Sequence, residues 1–262
     1  MNVKLIHYWT DNSTFSTEFA VAKANLVSAF PAIPIIDNVA ALKKGDSIGQ
    51  SIKIREFRDA FPDYTLHICD VSILSLQAPR FLAVIYKYQI FIGPDNGCLF
   101  LGLDGKDLQF YVIPNQNFEG FAMRDVYVPN LLKLMIAKWD VDNTFTPKDA
   151  RNMVRPILIQ SPGNEVNRKI SCIFIDRTGD SYFNITRSEF EEYNAGLPFF
   201  IRGQNFFIEK ISNQINDVPE GDLIAHFPWN GYLCISQNAG NAAQNLGLYL
   251  DCLLLLQLKQ PI

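Results

Sequence analysis

An α/β domain with a mostly parallel sheet, followed by a smaller all-β domain of antiparallel sandwich or barrel type, is the architecture the sequence predicts. Three observations predict it. Strand and helix signals alternate through residues 1–139, hydrophobic periodicity is lost over 140–169, and residues 170–262 hold short strand-like runs separated by turn residues. The expected division is an N-terminal domain at 1–139, a linker at 140–169 and a C-terminal domain at 170–262.

Residues 4–9 form a short apolar run that ends at Thr10-Asp11-Asn12-Ser13, a polar turn able to cap a helix. Phe19, Ala22, Leu26 and Phe30 follow at helical spacing on one face. Residues 33–36 read as a buried strand, 46–57 as a weaker helix and 65–71 as a third strand. Residues 81–92 read as two strands joined near Lys87. Asp104-Gly105 signals a hairpin between 98–103 and 108–113. A helix over 124–138, apolar at Val128, Leu131, Leu132 and Ile136, closes this half. The linker carries Pro147, Pro156, Pro162 and Gly163. Beyond it only strands are expected, at 170–175, 181–185, 205–211, 223–227, 232–236 and 248–258.

The chain has 262 residues, with 23 basic and 27 acidic side chains and a formal net charge of −4. Hydrophobic residues at 48% give ample core material and exclude a disordered chain. An acidic balance argues against nucleic acid as a partner, since phosphate binding needs clustered Lys and Arg. Apolar runs such as 81–86 and 252–256 are far too short to span a membrane, and residues 1–9 lack the form of a signal peptide. A soluble, cytoplasmic protein is the expectation. The five cysteines, Cys69, Cys98, Cys172, Cys234 and Cys252, are widely spaced without a C-x-x-C pair, so they read as buried reduced thiols. His67 and Cys69 share a strand face, but a metal needs further ligands and none lies nearby in sequence, so no metal is expected.

Several short stretches, in order along nearly the whole chain, carry a family pattern. A T-D-F-G motif appears as Thr10-Asp11-Asn12-Ser13, and P-D-N-G is intact as Pro94-Asp95-Asn96-Gly97. H-G-R-D-[IV]-[FY]-x-P appears as Ala122-Met123-Arg124-Asp125-Val126-Tyr127-Val128-Pro129. I-D-R-F-G-N and T-N-I become Ile175-Asp176-Arg177-Thr178-Gly179-Asp180 and Phe183-Asn184-Ile185. Pro228-Trp229-Asn230-Gly231-Tyr232-Leu233, with Asn238, Gly240 and Ala242 following, matches the closing motif. The set resembles the S-adenosyl-L-methionine hydroxide adenosyltransferases and their fluorinase and chlorinase relatives. The resemblance implies a homotrimer, with the ligand between one subunit's N-terminal domain and its neighbour's C-terminal domain. It also implies attack of water or halide on the ribose C5′ of S-adenosylmethionine, which is substrate or ligand, with no further cofactor.

Site roles follow from the resemblance position by position. Asp11 would accept the ribose hydroxyls, against an equal reading as a helix N-cap. Asp70, ending the strand at 65–71, matches an aspartate that orients water, and Arg80 matches a catalytic arginine. The Gly-rich loop between them is replaced by 71–79. Asp70 as a turn cap and Arg80 as a solvated strand start are the plain alternatives. Pro94-Asp95-Asn96-Gly97 reads as a tight turn in any protein. Asp176 would take the methionine ammonium. Asp180 stands for an asparagine that reads adenine, although a carboxylate only accepts hydrogen bonds. Asn230 and Asn238 complete the substrate-binding set.

Four positions depart from the pattern. The hydrolase histidine is Ala122, Met123 replaces a small residue beside the nucleophile, Trp229 replaces a serine, and Gly45 stands where halogenases carry a tryptophan. Arg124 and Asp125 read as structural. The leading reading is a divergent hydrolase that releases adenosine and L-methionine and is not a halogenase. Against it stand a non-catalytic module binding S-adenosylmethionine or adenosine, and a purely structural trimer.

Overall fold

The apolar run at the start of the chain builds β1 (Leu5–Thr10), which pairs in parallel with β2 (Ile35–Val39) on one side and β3 (Thr65–Asp70) on the other. The computed structural model describes residues 2–39, 42, 45–71, 79–104, 108–116, 118–149, 152–154 and 166–259. The chain divides into two units, Met1–Pro156 and Ile157–Ile262. In the first unit β5 (Gln89–Pro94) adds to β3 in parallel. The sheet then turns antiparallel through β4 (Phe81–Tyr86), β6 (Phe110–Ile113) and β7 (Thr146–Lys148), giving the order β2-β1-β3-β5-β4-β6-β7. The sheet is mixed: a parallel half carries the N-terminal strands and an antiparallel half follows.

Helices cover both faces of this sheet, which is why its central strands are buried throughout. On one face α1 (Thr17–Ala29) and α4 (Val128–Ile136) pack Phe19, Leu26, Leu131 and Leu134 against Ile6, Tyr8, Leu66 and Ile68. On the other, α2 (Ser47–Phe57) and α3 (Cys98–Gly102) pack Ile54, Cys98 and Leu99 against Trp9, Cys69 and Phe91.

The expected first strand of a hairpin, 98–103, is instead α3. Asn96 Oδ1 accepts from the Cys98 amide at 3.0 Å, which starts a helical turn where the apolar residues alone suggested a strand. The hairpin turn itself lies partly outside the described residues. The helix expected over 124–138 is also subdivided. It opens with a π-helical turn, Met123–Tyr127, and its α-helical part ends at Ile136. Pro129 has no N–H to bond the carbonyl four residues back, which favours the wider turn just upstream. The segment expected as a linker contributes α5 (Val141–Thr144) and edge strand β7 to the first unit.

The second unit is a seven-stranded antiparallel sheet in the order β11-β10-β14-β8-β9-β13-β12. Its strands are β8 (Asn167–Ile175), β9 (Ser181–Thr186), β10 (Phe199–Arg202), β11 (Phe207–Ile208), β12 (Leu223–His226), β13 (Tyr232–Gln237) and β14 (Leu253–Leu258). A bridge from Ile211 to Ala225 of β12 brings the two ends of the sheet together, so the unit is nearly a barrel. Two helices interrupt what the sequence presents as strands alone. The first, α6 (Arg187–Asn194), is fixed by a reciprocal capping box between Thr186 and Glu189. The second, α7 (Ala242–Leu246), is capped by Asn241. All five cysteines are buried free thiols.

His7 and His67 meet between α2 and the sheet. Their Nδ1 atoms lie 2.9 Å apart, and His67 Nε2 lies 2.7 Å from Gln89 Oε1, in a shell of Phe57, Phe61 and Phe91. Burial pulls His7 down to about 4 and His67 to about 3, so both are neutral at ordinary pH.

The closest approach on this face is α2 to α3 at Gly102, where an added Cβ would sit 2.8 Å from Ile54 Cβ. Gly102→Ala is therefore expected to destabilise the protein by about 1–3 kcal/mol through overpacking, read as a lowered urea midpoint with an unchanged slope.

Candidate functional site

The parallel strands β1, β3 and β5 all end on the same side of the sheet, and each is followed or closed by an aspartate: Asp11, Asp70 and Asp95. The carboxyl ends of parallel strands are where α/β sheets hold ligands, because helix and strand ends diverge there. Register places Asp70 opposite Thr10, at the edge of the core.

Asp70 is the chemically distinctive member. It is 8% exposed, and its Oδ2 accepts a hydrogen bond from the Tyr8 hydroxyl at 3.1 Å. Tyr8 and Thr10 lie two residues apart on one strand face. Burial pushes the Asp70 carboxyl up from 3.8 to about 7. The Tyr8 hydrogen bond opposes that rise, and the charges of Asp11 and Glu18 add to it. Burial also drives the Tyr8 phenol upward, so it stays protonated and donates.

Tyr127 comes from the π turn. It is fully buried, packs edge-on against Phe81 with ring centres 5.5 Å apart, and has a hydroxyl with no hydrogen-bond partner. Burial and then the Asp70 charge push its phenol well up. Nothing in the sequence reading singled out Tyr8 or Tyr127. The available signal for Tyr8 was a polar-tipped tyrosine in a fully buried strand, two residues before Thr10 on the same face.

Asp11 is not the cap of α1. Ser16 holds that place, its hydroxyl accepting from the Phe19 amide at 3.1 Å, while Thr10 Oγ1 accepts from the Asn12 amide. The N-cap alternative for Asp11 is thereby removed.

Arg80 points its guanidinium at Asp95 rather than at Asp70. Arg80 Nη2 lies 2.8 Å from Asp95 Oδ2, whose side chain is 1% exposed, and Lys148 stands 4.0 Å away. The Asp95 amide donates to the Arg80 carbonyl and Asp95 Oδ1 accepts from the Val154 amide. Asn96 Nδ2 donates to the Val71 carbonyl just beyond β3, and Gly97 takes φ +89°, a conformation that favours glycine. Pro94-Asp95-Asn96-Gly97 is thus a built turn that ties the end of β5 to β3 and β4. Residues 72–78 of the loop between Asp70 and Arg80 lie outside the described residues.

Ala122 and Met123 are buried at 4% and 0% and belong to the apolar core beneath α1 and α4. Asp125 accepts from the Glu119 and Phe121 amides and pairs with Arg124, so both hold the start of this helix in place. An open groove of about 320 Å³ between Pro114, Glu119, Arg124 and Lys133 contains neither Asp11 nor Asp70.

In the second unit, Asp176 Oδ1 accepts from the Thr178 amide at 2.9 Å, the Thr178 hydroxyl at 2.7 Å and the Asp180 amide at 3.0 Å, shaping the turn from β8 to β9. Asp180 is half-buried beside Ser236, and Ser236 Oγ lies 3.1 Å from His226 Nε2. Burial pushes Asp180 up, opposed by Ser236, and burial pulls His226 down, opposed by Asp180. Asn230 Oδ1 accepts from the Tyr232 amide, and Asn238 Nδ2 donates to the Val218 carbonyl. Trp229 stands exposed beside them. Asp176 and Asp180 share one turn, Asn230 and Asn238 shape two others.

The matching family models are the S-adenosylmethionine hydroxide adenosyltransferase N-terminal domain over residues 6–142 and the corresponding C-terminal domain over residues 170–252. The chain belongs to that family. An uncharacterized conserved protein of Thermotoga maritima shares the fold of this adenosyltransferase homologue with a TM-score of 0.79 at 20% identity, over 96% of this chain and 99% of its own. A conserved hypothetical protein of Thermus thermophilus does so with a TM-score of 0.74 at 20% identity, over 99% and 100%. No curated protein sequence matches the chain. Among the described residues no helix is long and apolar enough to cross a membrane.

A carboxyl that titrates near 7 in the folded state and near 3.8 unfolded leaves the folded protein destabilised once it ionises, and the penalty is relieved as pH falls through 7. Asp70→Asn is therefore expected to stabilise the protein by roughly 4 kcal/mol at pH 8, and by less than half of that at pH 5. Urea unfolding of parent and variant at both pH values reads the difference; equal gains at both would refute the assignment.

Proposed function

We propose that this family member hydrolyses S-adenosylmethionine, with water attacking the ribose C5′ and the C5′–S bond breaking to give adenosine and L-methionine. The observation that carries the reading is Asp70: a buried carboxyl at a parallel strand end, titrating near neutrality, in a chain that carries both family domains. The sulfonium leaves as a neutral thioether with the bonding electron pair, so no acid has to protonate it. The remaining tasks are to align water and to receive its proton. Asp70 in its carboxylate form does both. Arg80, held on Asp95, steadies the turn beside it as a positioning residue. Asp11 sits at the next strand end for the ribose hydroxyls. Asp176, Asp180, Asn230 and Asn238 serve the methionine and adenine ends, from a neighbouring chain of a homotrimer. S-adenosylmethionine is substrate, and no other cofactor enters the step.

One observation favours a second reading. Ala122 lies in the core without any proton-handling group, so a module that holds S-adenosylmethionine or adenosine without turnover remains the alternative.

Incubation of the purified chain with S-adenosylmethionine, followed by chromatography, is expected to show equimolar adenosine and methionine, with Asp70→Asn slower by about 10²–10⁴-fold. Fluoride or chloride is expected to give no 5′-halogenated product. Absence of adenosine, with binding visible by calorimetry, would move the assignment to the binding module. Light scattering is expected to return three chain masses of 29.7 kDa each, and a single chain mass would remove the shared-site arrangement.

A further inference from the structure

We propose that Cys172 and Cys252 are a modification site: a hydroperoxide joins them in a reversible disulfide between β8 and the start of β14, and Cys252 is the thiol that reacts first. The site is independent of the hydrolase reading, since neither cysteine enters that step.

Strand periodicity puts the two side chains on one face. Along β14, Leu254, Leu256 and Leu258 enter the apolar core of the second unit, and Cys252 enters it one step earlier in the same alternation. Along β8, Ile170 and Cys172 enter that core as well. The antiparallel ladder pairs Leu254 with Ile170 and Leu253 with Ser171, so the next opposed pair is Cys252 with Cys172. Two backbone bonds close it. The Cys172 amide donates to the Cys252 carbonyl at 2.9 Å, and the Asp251 amide donates to the Cys172 carbonyl at 2.8 Å. Asp251 takes φ +67°, so Asp251 and Cys252 together face Cys172 in a bulge, and Cys252 keeps the inward phase. Opposed residues of antiparallel strands hold their Cα atoms about 4.5–5.5 Å apart, within the roughly 4.4–6.8 Å that a disulfide spans. Rotation of the two side chains is then enough to bring the sulfurs together, with the ladder left in place.

The two thiols differ in access and in acidity. Cys172 is fully buried and its thiol donates to the Phe174 carbonyl at 3.7 Å, whereas Cys252 keeps 9% of its surface exposed. The Cys172 thiol beside it pulls Cys252 down to about 6 against the effect of burial, while the same contact and burial push Cys172 up. Cys69, Cys98 and Cys234 are fully buried, so peroxide arriving from solvent meets Cys252 before them. The Cys252 thiolate attacks one oxygen of hydrogen peroxide, the O–O bond breaks, and the departing hydroxide takes up the proton that Cys252 gave to solvent. Cys252 is then a sulfenic acid. The Cys172 sulfur attacks the Cys252 sulfur, the S–O bond breaks, and the second hydroxide leaves as water with the Cys172 proton. Two thiols are oxidised by two electrons to one disulfide, and one peroxide is reduced to two waters.

The reduced full-length chain, treated with hydrogen peroxide in modest molar excess and then alkylated in denaturant, is expected to lose the mass of two hydrogens. Peptide mapping by mass spectrometry is expected to find one bond within the chain, from Cys172 to Cys252, with Cys69, Cys98 and Cys234 alkylated. A thiol reductant is expected to return all five cysteines to the alkylated set. Cys172→Ser is expected to leave Cys252 as a sulfenic acid that a cyclic diketone traps, and Cys252→Ser is expected to leave Cys172 unoxidised. A bond between another pair, such as Cys69 and Cys98, overturns the proposal. So does a treated parent in which Cys172 and Cys252 both remain open to alkylation. Should either serine variant fail to fold, the parent decides alone: the diketone, added with the peroxide, is expected to mark Cys252, and a mark on Cys172 would refute the order of attack.

Discussion

Parallel pairing of β1 with β3 sets Thr10 opposite Asp70, and the chemistry available to the first unit depends on that register. Side chains alternate across a strand, so a slip of one residue would carry Asp70 to the face occupied by Cys69 and Phe91. It would also carry Tyr8 away from the carboxyl it now bonds. The register is enforced by apolar residues on both faces at once: Ile6, Tyr8, Leu66 and Ile68 face α1 and α4, while Trp9 and Cys69 face α2 and α3. A doubly covered strand has no polar face on which to slide. Asp70 is held in low-polarity surroundings by the same packing that fixes its position, and its altered titration follows from that.

The two buried titratable clusters of this sheet show why packing alone does not make a site. His7 and His67 come from the same two strands as Tyr8 and Asp70, on the opposite face. There the imidazoles pair with each other, Gln89 receives His67, and the Gln89 amide is tied to the Arg58 and Phe61 carbonyls. Phenylalanine rings close the shell. On the other face a carboxyl lies at the strand terminus, with the Tyr8 hydroxyl donating to it. The histidines read as core, and the aspartate reads as chemistry, because only the second cluster stands at the open end of the strands.

Much of this was legible in the sequence, for identifiable reasons. Strand-helix alternation gave the first unit because its strands are short, continuous and apolar, and the aspartates at strand ends stood out as charges beside them. The antiparallel half was harder. The stretch at 98–102 is as apolar as a strand, and only the Asn96 cap turns it into a helix. In the second unit α6 was announced by Thr186 and Glu189 at capping-box spacing, but with Phe190 as its one buried residue it lacked the apolar period that marks a helix. Strand β10 is bounded by Pro198 and Gly203, but its four residues are too few to show an alternation. The candidate residues could be named one by one from the motifs. The bond from Tyr8 to Asp70 could not, because it depends on where a hydroxyl ends inside the fold, and sequence spacing does not report that.

The departures from the family pattern are best weighed by where each residue sits. Ala122 and Met123 are part of the core, so that core is intact around them and has not been eroded by their presence. Arg80 and the Pro94-Asp95-Asn96-Gly97 turn are joined by an ion pair to a carboxylate with 1% of its side chain exposed, and breaking such a pair is far more damaging than never having it. A chain under no demand except to fold would gain by neutralising Asp70, since a buried carboxyl near pH 7 works against stability while contributing one hydrogen bond. It is retained at the strand end, with Tyr8 turned toward it and Arg80 bracing the turn alongside. That combination, a structural cost borne at the carboxyl ends of parallel strands, is the physical ground on which the proposed hydrolysis rests.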